Sequence, residues 1–245
     1  MSETAMQPDV PATREPLLTC SQVAKEYVGR QKQVVPILRD INLTIYAGEI
    51  AIITGRSGAG KSTLLNLLCG LDRPTAGAIH FNDQPLHTLD NETLATLRRT
   101  YIGIIFQNFN LLSSWTAFEN VEAALLHTGM SATDRRQAVR TLLEELGIGA
   151  QMDNLPAEMS MGQQQRVAIA RTLINQPTLI LADEPTGDVD PETAAQIIDY
   201  LTAPVKSRGA TLVITTHGHF PLATADQLLT LNNGEITRSL PDSPR

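Results

Sequence analysis

Glu49-Ile50-Ala51-Ile52-Ile53, then Gly55-Arg56-Ser57-Gly58-Ala59-Gly60-Lys61-Ser62, then Leu64, Leu65, Leu67, Leu68 and Leu71 make up the stretch on which the fold turns. The β-branched run ends abruptly at the glycines, so it reads as a strand buried on both faces. From residue 61 to 71 the leucines recur at helical spacing and give a broad apolar face. A strand, a glycine loop and a helix in that order fit the pattern G-x-x-x-x-G-K-[ST], whose glycines let backbone N–H groups turn inward around phosphate oxygens. The helix adds the partial positive charge of its N-terminus to the same oxygens. Gly55, Arg56, Ser57, Gly58, Ala59, Gly60, Lys61, Ser62 and Thr63 are therefore candidate phosphate-binding residues. Lys61 is assigned to the β- and γ-phosphates and the Ser62 hydroxyl to Mg²⁺.

Working outward, residues 178–182 form a second buried run that ends in Asp183-Glu184, placing carboxylates at a strand C-terminus, where open α/β sheets bind ligands. Asp183 is assigned to Mg²⁺ through water, and Glu184 to polarising the attacking water as a general base. Residues 102–106 and 211–216 are further strand runs separated by helical patterns, which predicts a mostly parallel sheet. Residues 17–27 and 35–46 alternate apolar with polar and predict a strand pair joined by the turn Gly29-Arg30-Gln31-Lys32. Between Gln107 and Ser160 no strand run occurs, and Ala138, Val139, Leu142, Leu143 and Leu146 line one helical stripe. A helical insertion over about residues 108–175 is expected.

The whole chain has 245 residues, 42% of them apolar, which suits one α/β domain with an inserted subdomain. Its 19 Lys+Arg against 26 Asp+Glu leave a formal charge of −7, which opposes a protein that tracks nucleic-acid phosphates and predicts no direct nucleic-acid partner. No apolar run approaches the ~20 residues of a membrane helix. Residues 1–16, with Pro8, Pro11 and Pro16 among polar residues, lack the regions of a signal peptide and are expected to be a disordered tail, with the chain kept in the cytosol. Residues 239–245 are expected to fray, leaving 17–238 as the folded domain. Cys20 and Cys69 are too few and too far apart for a disulfide framework or a paired metal motif, and Cys69 reads as a small core residue.

Met159-Ser160-Met161-Gly162-Gln163-Gln164-Gln165-Arg166 resembles the signature of ATP-binding-cassette (ABC) ATPases, usually written L-S-G-G-Q, and the resemblance covers about residues 17–238. It implies an α/β fold with a P-loop NTPase core, a mostly parallel sheet, an N-terminal antiparallel β subdomain and an inserted α-helical subdomain, together with ATP and Mg²⁺. On the matching positions it implies that Tyr27 stacks on adenine, that Gln107 senses Mg²⁺ and the attacking water, that Asp190 closes the loop beyond the acidic strand and that His217 reaches the γ-phosphate. Ser160, Gly162 and Gln163 open a helix whose N-terminus is a second anion site. In this family that site takes the γ-phosphate held by a partner subunit, so the resemblance implies a homodimer with nucleotide at the interface. Two departures stand out: Met161 replaces the usual first glycine of the signature and is expected to point away from nucleotide, and Gly187-Asp188-Val189-Asp190 keeps only the last aspartate of the common loop.

Residues 108–121, with Phe109, Trp115 and Phe118 in a polar setting, are expected to expose an apolar patch suited to a helix of a membrane partner. This segment, Leu64 through Gly70-Leu71-Asp72-Arg73-Pro74, and Asp183-Glu184-Pro185-Thr186-Gly187 resemble the lipoprotein-releasing and macrolide-exporting group, LolD-like and MacB-like. That resemblance implies an ATPase peripheral to the cytoplasmic face of the inner membrane, with a separate transmembrane permease docking near residues 107–121. It would energise export or extraction of a lipoprotein, peptide or drug-like substrate. The alternative it leaves open is an FtsE-like regulatory ATPase that signals through a membrane partner without transport.

Overall fold

The structure, a computed structural model, describes residues 15–30, 32–187, 189–217 and 220–239. Most of the two expected tails, 1–14 and 240–245, lies outside the described residues, as do Gln31 of the expected turn and Asp188. Pro16 and Ser239, expected in those tails, lie in strands instead: Pro16 pairs with Tyr46 and Ser239 ends the last strand. Along the chain run β1 (Pro16–Val28), β2 (Val34–Tyr46), β3 (Ile50–Thr54), α1 (Lys61–Leu68), β4 (Ala76–Phe81), β5 (Gln84–Pro85), α2 (Asn91–Tyr101) and β6 (Ile102–Ile105). They are followed by α3 (Ala117–Glu122), α4 (Ala132–Glu145), α5 (Met161–Leu173), β7 (Leu179–Asp183), α6 (Pro191–Arg208), β8 (Thr211–Thr216), β9 (Gln227–Asn232) and β10 (Glu235–Ser239).

Two sheets share the work. The larger has the order β10-β9-β3-β8-β7-β6, parallel throughout except for β10 at its edge. The smaller, β2-β1-β4-β5, is antiparallel. Side chains alternate across a strand, so Ala51 and Ile53 of β3 enter a core shared with the antiparallel sheet and α1, while Ile50 and Ile52 enter a second core with α3, α4, α5 and α6. Double coverage is why β3 and β7 carry no polar face. Because β3, β8 and β7 are parallel neighbours, their C-terminal ends lie side by side on one edge. That edge is where the glycine loop, Asp183, Glu184 and His217 emerge.

Helix α1 is only eight residues, shorter than the 12–15 that an isolated helix needs. Burial of Leu64, Leu65, Leu67 and Leu68 holds it, each worth about 1.5–3 kcal/mol. It ends before the expected Leu71 because Gly70 turns left-handed at φ +64° and leaves Leu71 47% exposed. Cys69 is buried at its end as expected, and burial pushes its thiol up to about 11. The stripe on α4 divides: Val139, Leu143 and Leu146 are fully inside, whereas Ala138 and Leu142 pack at its margin.

Sequence reading missed β4, β9, β10 and α2. Strand β4 opens Ala-Gly-Ala and buries only Ile79 and Phe81 deeply, a signal too short for a period. The β9–β10 hairpin did carry a readable mark, Asn233-Gly234, both residues at positive φ (49° and 80°), the dipeptide that two-residue hairpins favour. Helix α2 starts on Asp90, whose carboxylate accepts from Thr93 N–H.

Gly77 in β4 sits at φ +81°, and a Cβ there would overlap the Gln22 carbonyl of β1. Gly77→Ala should therefore lose about 2–3 kcal/mol, read as a melting temperature roughly 5–10 °C lower. An unchanged melt would show that β1 and β4 are not joined in this register.

Candidate functional site

Gly60 caps α1 at φ +102° and offers no side-chain acceptor, so the first N–H groups of the helix keep their donors for a ligand. Gly58 is also left-handed, at φ +78°, and a Cβ on Gly55 would lie 2.5 Å from the Leu231 carbonyl. Larger residues at 55 and 60 would fill or distort the loop, which is the sense in which it is a cradle. Lys61 is 5% exposed and turns back over that loop, its Nζ 2.8 Å from the Gly55 carbonyl and 3.2 Å from that of Arg56. Arg56 and Ser57 also line an open cavity of about 730 Å³ that His217 borders.

The same ammonium lies 3.0 Å from Glu184 Oε1, while Glu184 Oε2 stands 2.7 Å from His217 Nδ1. Burial pushes the Glu184 carboxyl up, but hydrogen bonds and charge from Lys61 and His217 outweigh it and hold it below its usual 4.5. A depressed carboxylate stabilises the fold above the unfolded value, and that contribution is lost as the pH falls through the lowered one. Glu184 takes φ +47°, an uncommon backbone for a non-glycine residue. Its N–H is held by the Thr215 carbonyl at 3.0 Å and Oγ1 at 3.2 Å. The Thr215 hydroxyl donates in turn to Asp183 Oδ1. Thr215, fully buried, thus orients both carboxylate residues; the sequence reading passed over it, although a threonine inside the apolar β8 run was a visible sign.

Mg²⁺ fits this donor set. Ser62 is exposed at the second position of α1, Asp183 brings a carboxylate, and among the described residues no cluster of three or more His, Cys, Asp or Glu builds a cage. Mg²⁺ commonly takes few protein oxygens and completes its shell with phosphate and water.

Elsewhere Ser160 caps α5, accepting from Gln163 N–H at 3.3 Å while Gln163 Oε1 accepts from Ser160 N–H at 2.8 Å. This reciprocal box leaves the N–H groups of Met161 and Gly162 at the helix tip. Met161 is 49% exposed, whereas a Cβ on Gly162 would lie 3.0 Å from Thr193 Cγ2, so close packing here depends on the second position. Asp190 caps α6, taking Glu192 and Thr193 N–H and the Thr193 hydroxyl, which hold its carboxyl below the usual range. Ser160, Gly162, Gln163 and Asp190 form one group, and Lys61, Asp183, Glu184 and His217 another. Among the described residues no hydrogen bond or ion pair joins Ser160–Gln163 to Gly55–Ser62.

Gln107 is exposed just beyond β6, at the entry to residues 108–121. The expected aromatic patch is smaller than the sequence suggested. Leu112 and Trp115 are exposed (49% and 36%), but Phe118 packs on the second core with Arg140 5.9 Å from its ring centre, and Phe109 is half-buried. Two residues not foreseen shape this segment. Buried Asn120 binds Leu112, Trp115 and Thr116 backbone groups, and Arg171 of α5 donates to the Phe109 and Asn110 carbonyls at 2.7 Å each.

The ABC transporter family model matches residues 38–187. An ABC transporter ATP-binding protein of Escherichia coli K12, YbbA, described as uncharacterized, is 41% identical over 212 residues, 86% of this chain and 93% of that protein. The macrolide export ATP-binding/permease protein MacB of Acinetobacter baylyi is 41% identical over 91% of this chain, which spans about a third (33%) of that relative. Among solved structures, the dimeric post-hydrolysis state of the ATP-binding cassette MJ0796, bound to ADP and Pi, matches at a TM-score of 0.84 and 36% identity, covering 90% of this chain and 97% of its own.

Thr215→Val keeps the volume of the β8 residue but removes the hydroxyl that orients Asp183. It should raise the Mg²⁺ concentration for half-maximal ATP hydrolysis by about tenfold, in line with removal of outer-shell partners. An unaltered Mg²⁺ dependence would take Asp183 out of the metal's reach.

Proposed function

The chain belongs to the ABC transporter family, and from that premise we propose that it is the ATP-hydrolysing subunit of an exporter or extractor, working as a homodimer on a separate membrane partner. One observation carries the reading: the glycine loop, Asp183, Glu184 and His217 meet at one sheet edge through Lys61, while among the described residues no hydrogen bond or ion pair joins Ser160 and Gly162 at the α5 tip to the glycine loop. Each chain then brings half of two sites, and a second copy placed head to tail completes both.

In that arrangement the Gly55–Thr63 cradle and α1 N-terminus bind the phosphate chain, and Tyr27 receives the adenine. Lys61 exchanges Glu184 and its backbone carbonyls for the β- and γ-phosphates. Glu184, released from the ammonium, accepts a proton from the attacking water, and His217 holds the carboxylate and γ-phosphate in register. Gln107 would orient the attacking water and sense Mg²⁺ when it is bound. Ser62 and, through water, Asp183 would hold Mg²⁺, which when bound would neutralise charge on the phosphate oxygens. The partner's Ser160, Gly162 and Gln163 donors seal the γ-phosphate, and Asp190 holds the neighbouring helix at the interface.

The proposed permease contact is the segment 107–121, where Leu112 and Trp115 are exposed and Arg171 ties the loop to α5. No helix of the described residues is long and apolar enough to cross a membrane, which accords with a peripheral position at the cytoplasmic face of the inner membrane. Of the lipoprotein, peptide and drug-like cargoes proposed, the likeness to MacB, a macrolide export protein by name, supports the drug-like one.

Glu184→Gln keeps every backbone contact and removes the base. It should bind ATP, run as a dimer on size-exclusion chromatography with ATP and Mg²⁺, and hydrolyse at least about 100-fold more slowly. Full turnover would remove Glu184 as the base, and a strictly monomeric, ATP-loaded variant would remove the shared site.

A further inference from the structure

The stretch Gly70-Leu71-Asp72-Arg73-Pro74 follows α1 and touches none of the groups assigned so far except one. Asp72 Oδ2 accepts from the Tyr27 hydroxyl at 2.7 Å, and its Oδ1 accepts from Lys25 Nζ and from the Arg73 N–H, each at 2.7 Å. Lys25 Nζ also donates to the Arg73 carbonyl at 2.8 Å and lies 4.7 Å from the centre of the Tyr27 ring. The loop is anchored independently. The Arg73 guanidinium grips the His87 and Leu89 carbonyls at 2.8 and 2.6 Å, and Leu71 and Asp72 N–H groups return to Asn66 of α1.

Burial raises the Asp72 carboxyl, but donors from Lys25, Tyr27 and Arg73 outweigh it and leave it below its usual range. The Tyr27 phenol is raised, by burial and then by Asp72, against a smaller lowering from the Thr63 side chain. Thr63 belongs to the first turn of α1, and Asp72, which holds the Tyr27 hydroxyl, is itself bonded to Asn66 of that helix, so Tyr27 is tied to the helix that the phosphate loop opens.

We infer that Asp72 is a positioning residue for a purine base, fixing the ring of Tyr27 against the loop that ends α1, the helix that the phosphate loop opens, with Lys25 against the ring. The inference rests on the reading of Tyr27 as the adenine platform and gives it a mechanism. A tyrosine on an edge of exposed strand samples several rotamers, and ordering it on binding costs affinity. Tyr27 is 41% exposed, yet both its hydroxyl and its π-cloud are already engaged, so that cost is met before nucleotide arrives. A cation against the ring also draws π density from its open part, which eases offset stacking of an electron-rich base. The carboxylate thereby couples the loop that ends α1 to the base.

Equilibrium binding of ATP and of inorganic tripolyphosphate to the full chain, with Mg²⁺, separates the alternatives. Tyr27→Ala should weaken ATP by about tenfold or more and leave tripolyphosphate unchanged, since base–aromatic stacking is the loss. Tyr27→Phe, which keeps the ring and removes only the hydroxyl, should weaken ATP several-fold, and Asp72→Asn should do the same. The double variant should be no weaker than the worse single one, because both break one link. If Tyr27→Ala binds ATP normally, the platform reading itself fails. If it does not, but Tyr27→Phe and Asp72→Asn bind ATP like the wild type, the platform stands and the positioning role is overturned. An equal loss for ATP and tripolyphosphate in Asp72→Asn would likewise overturn it, by showing general damage to the loop.

Discussion

Lys61 reaching Glu184 across the end of the parallel sheet is the contact around which the molecule is organised. An ammonium on the glycine loop and a carboxylate at the tip of β7 meet only if β3 and β7 flank β8 and all end on one edge. The strand order supplies that, and two cores keep it fixed by covering both faces of the sheet. Placing a nearly buried cation between a carboxylate and two carbonyls makes a site that phosphate oxygens can take over without leaving charge unpaired. The left-handed Glu184 backbone, pinned by Thr215, belongs to the same constraint.

Beyond that edge, the parts proposed to communicate are joined by hydrogen bonds to backbone rather than by loose contact. Arg171 lies near the end of the helix that begins at Ser160, and its guanidinium holds the loop following Gln107. Phe109 and Asn110 are both left-handed there, at φ +59° and +47°, so the loop keeps an uncommon backbone that the arginine secures. Gln165 of α5 also donates to the Pro185 carbonyl beside the acidic strand end. A helix held to the loop after Gln107 at one end and to the turn after β7 partway along would give the proposed membrane contact a rigid route to Glu184, the proposed base.

Much of this was legible before any coordinates. The continuous run at 50–53, the glycines and the leucine helix specify β3, the loop and α1, because burial on both faces and left-handed backbone each demand particular residue types. Strands β4, β9 and β10 were hidden since they are short and bury few residues deeply. Residues 109, 115 and 118 were read together because sequence cannot tell which aromatic of a short helix and its approach turns inward; Phe118 does. Thr215, Arg171 and Asp72 escaped because their partners are 32, 61 to 62 and 45 to 47 positions away. A polar residue's importance there lies in the meeting of distant segments, which no local period encodes.

The central claim is that neither the glycine loop nor the Ser160 helix tip makes a working site within one chain. Mixing full-length Lys61→Ala and Ser160→Arg chains, each inactive alone, tests it directly through ATP hydrolysis. A head-to-tail pair containing one of each places both defects in one site and leaves the other whole, so the mixture should recover up to about a quarter of wild-type activity. Activity in the mixture no greater than in the two variants measured separately would contradict the account.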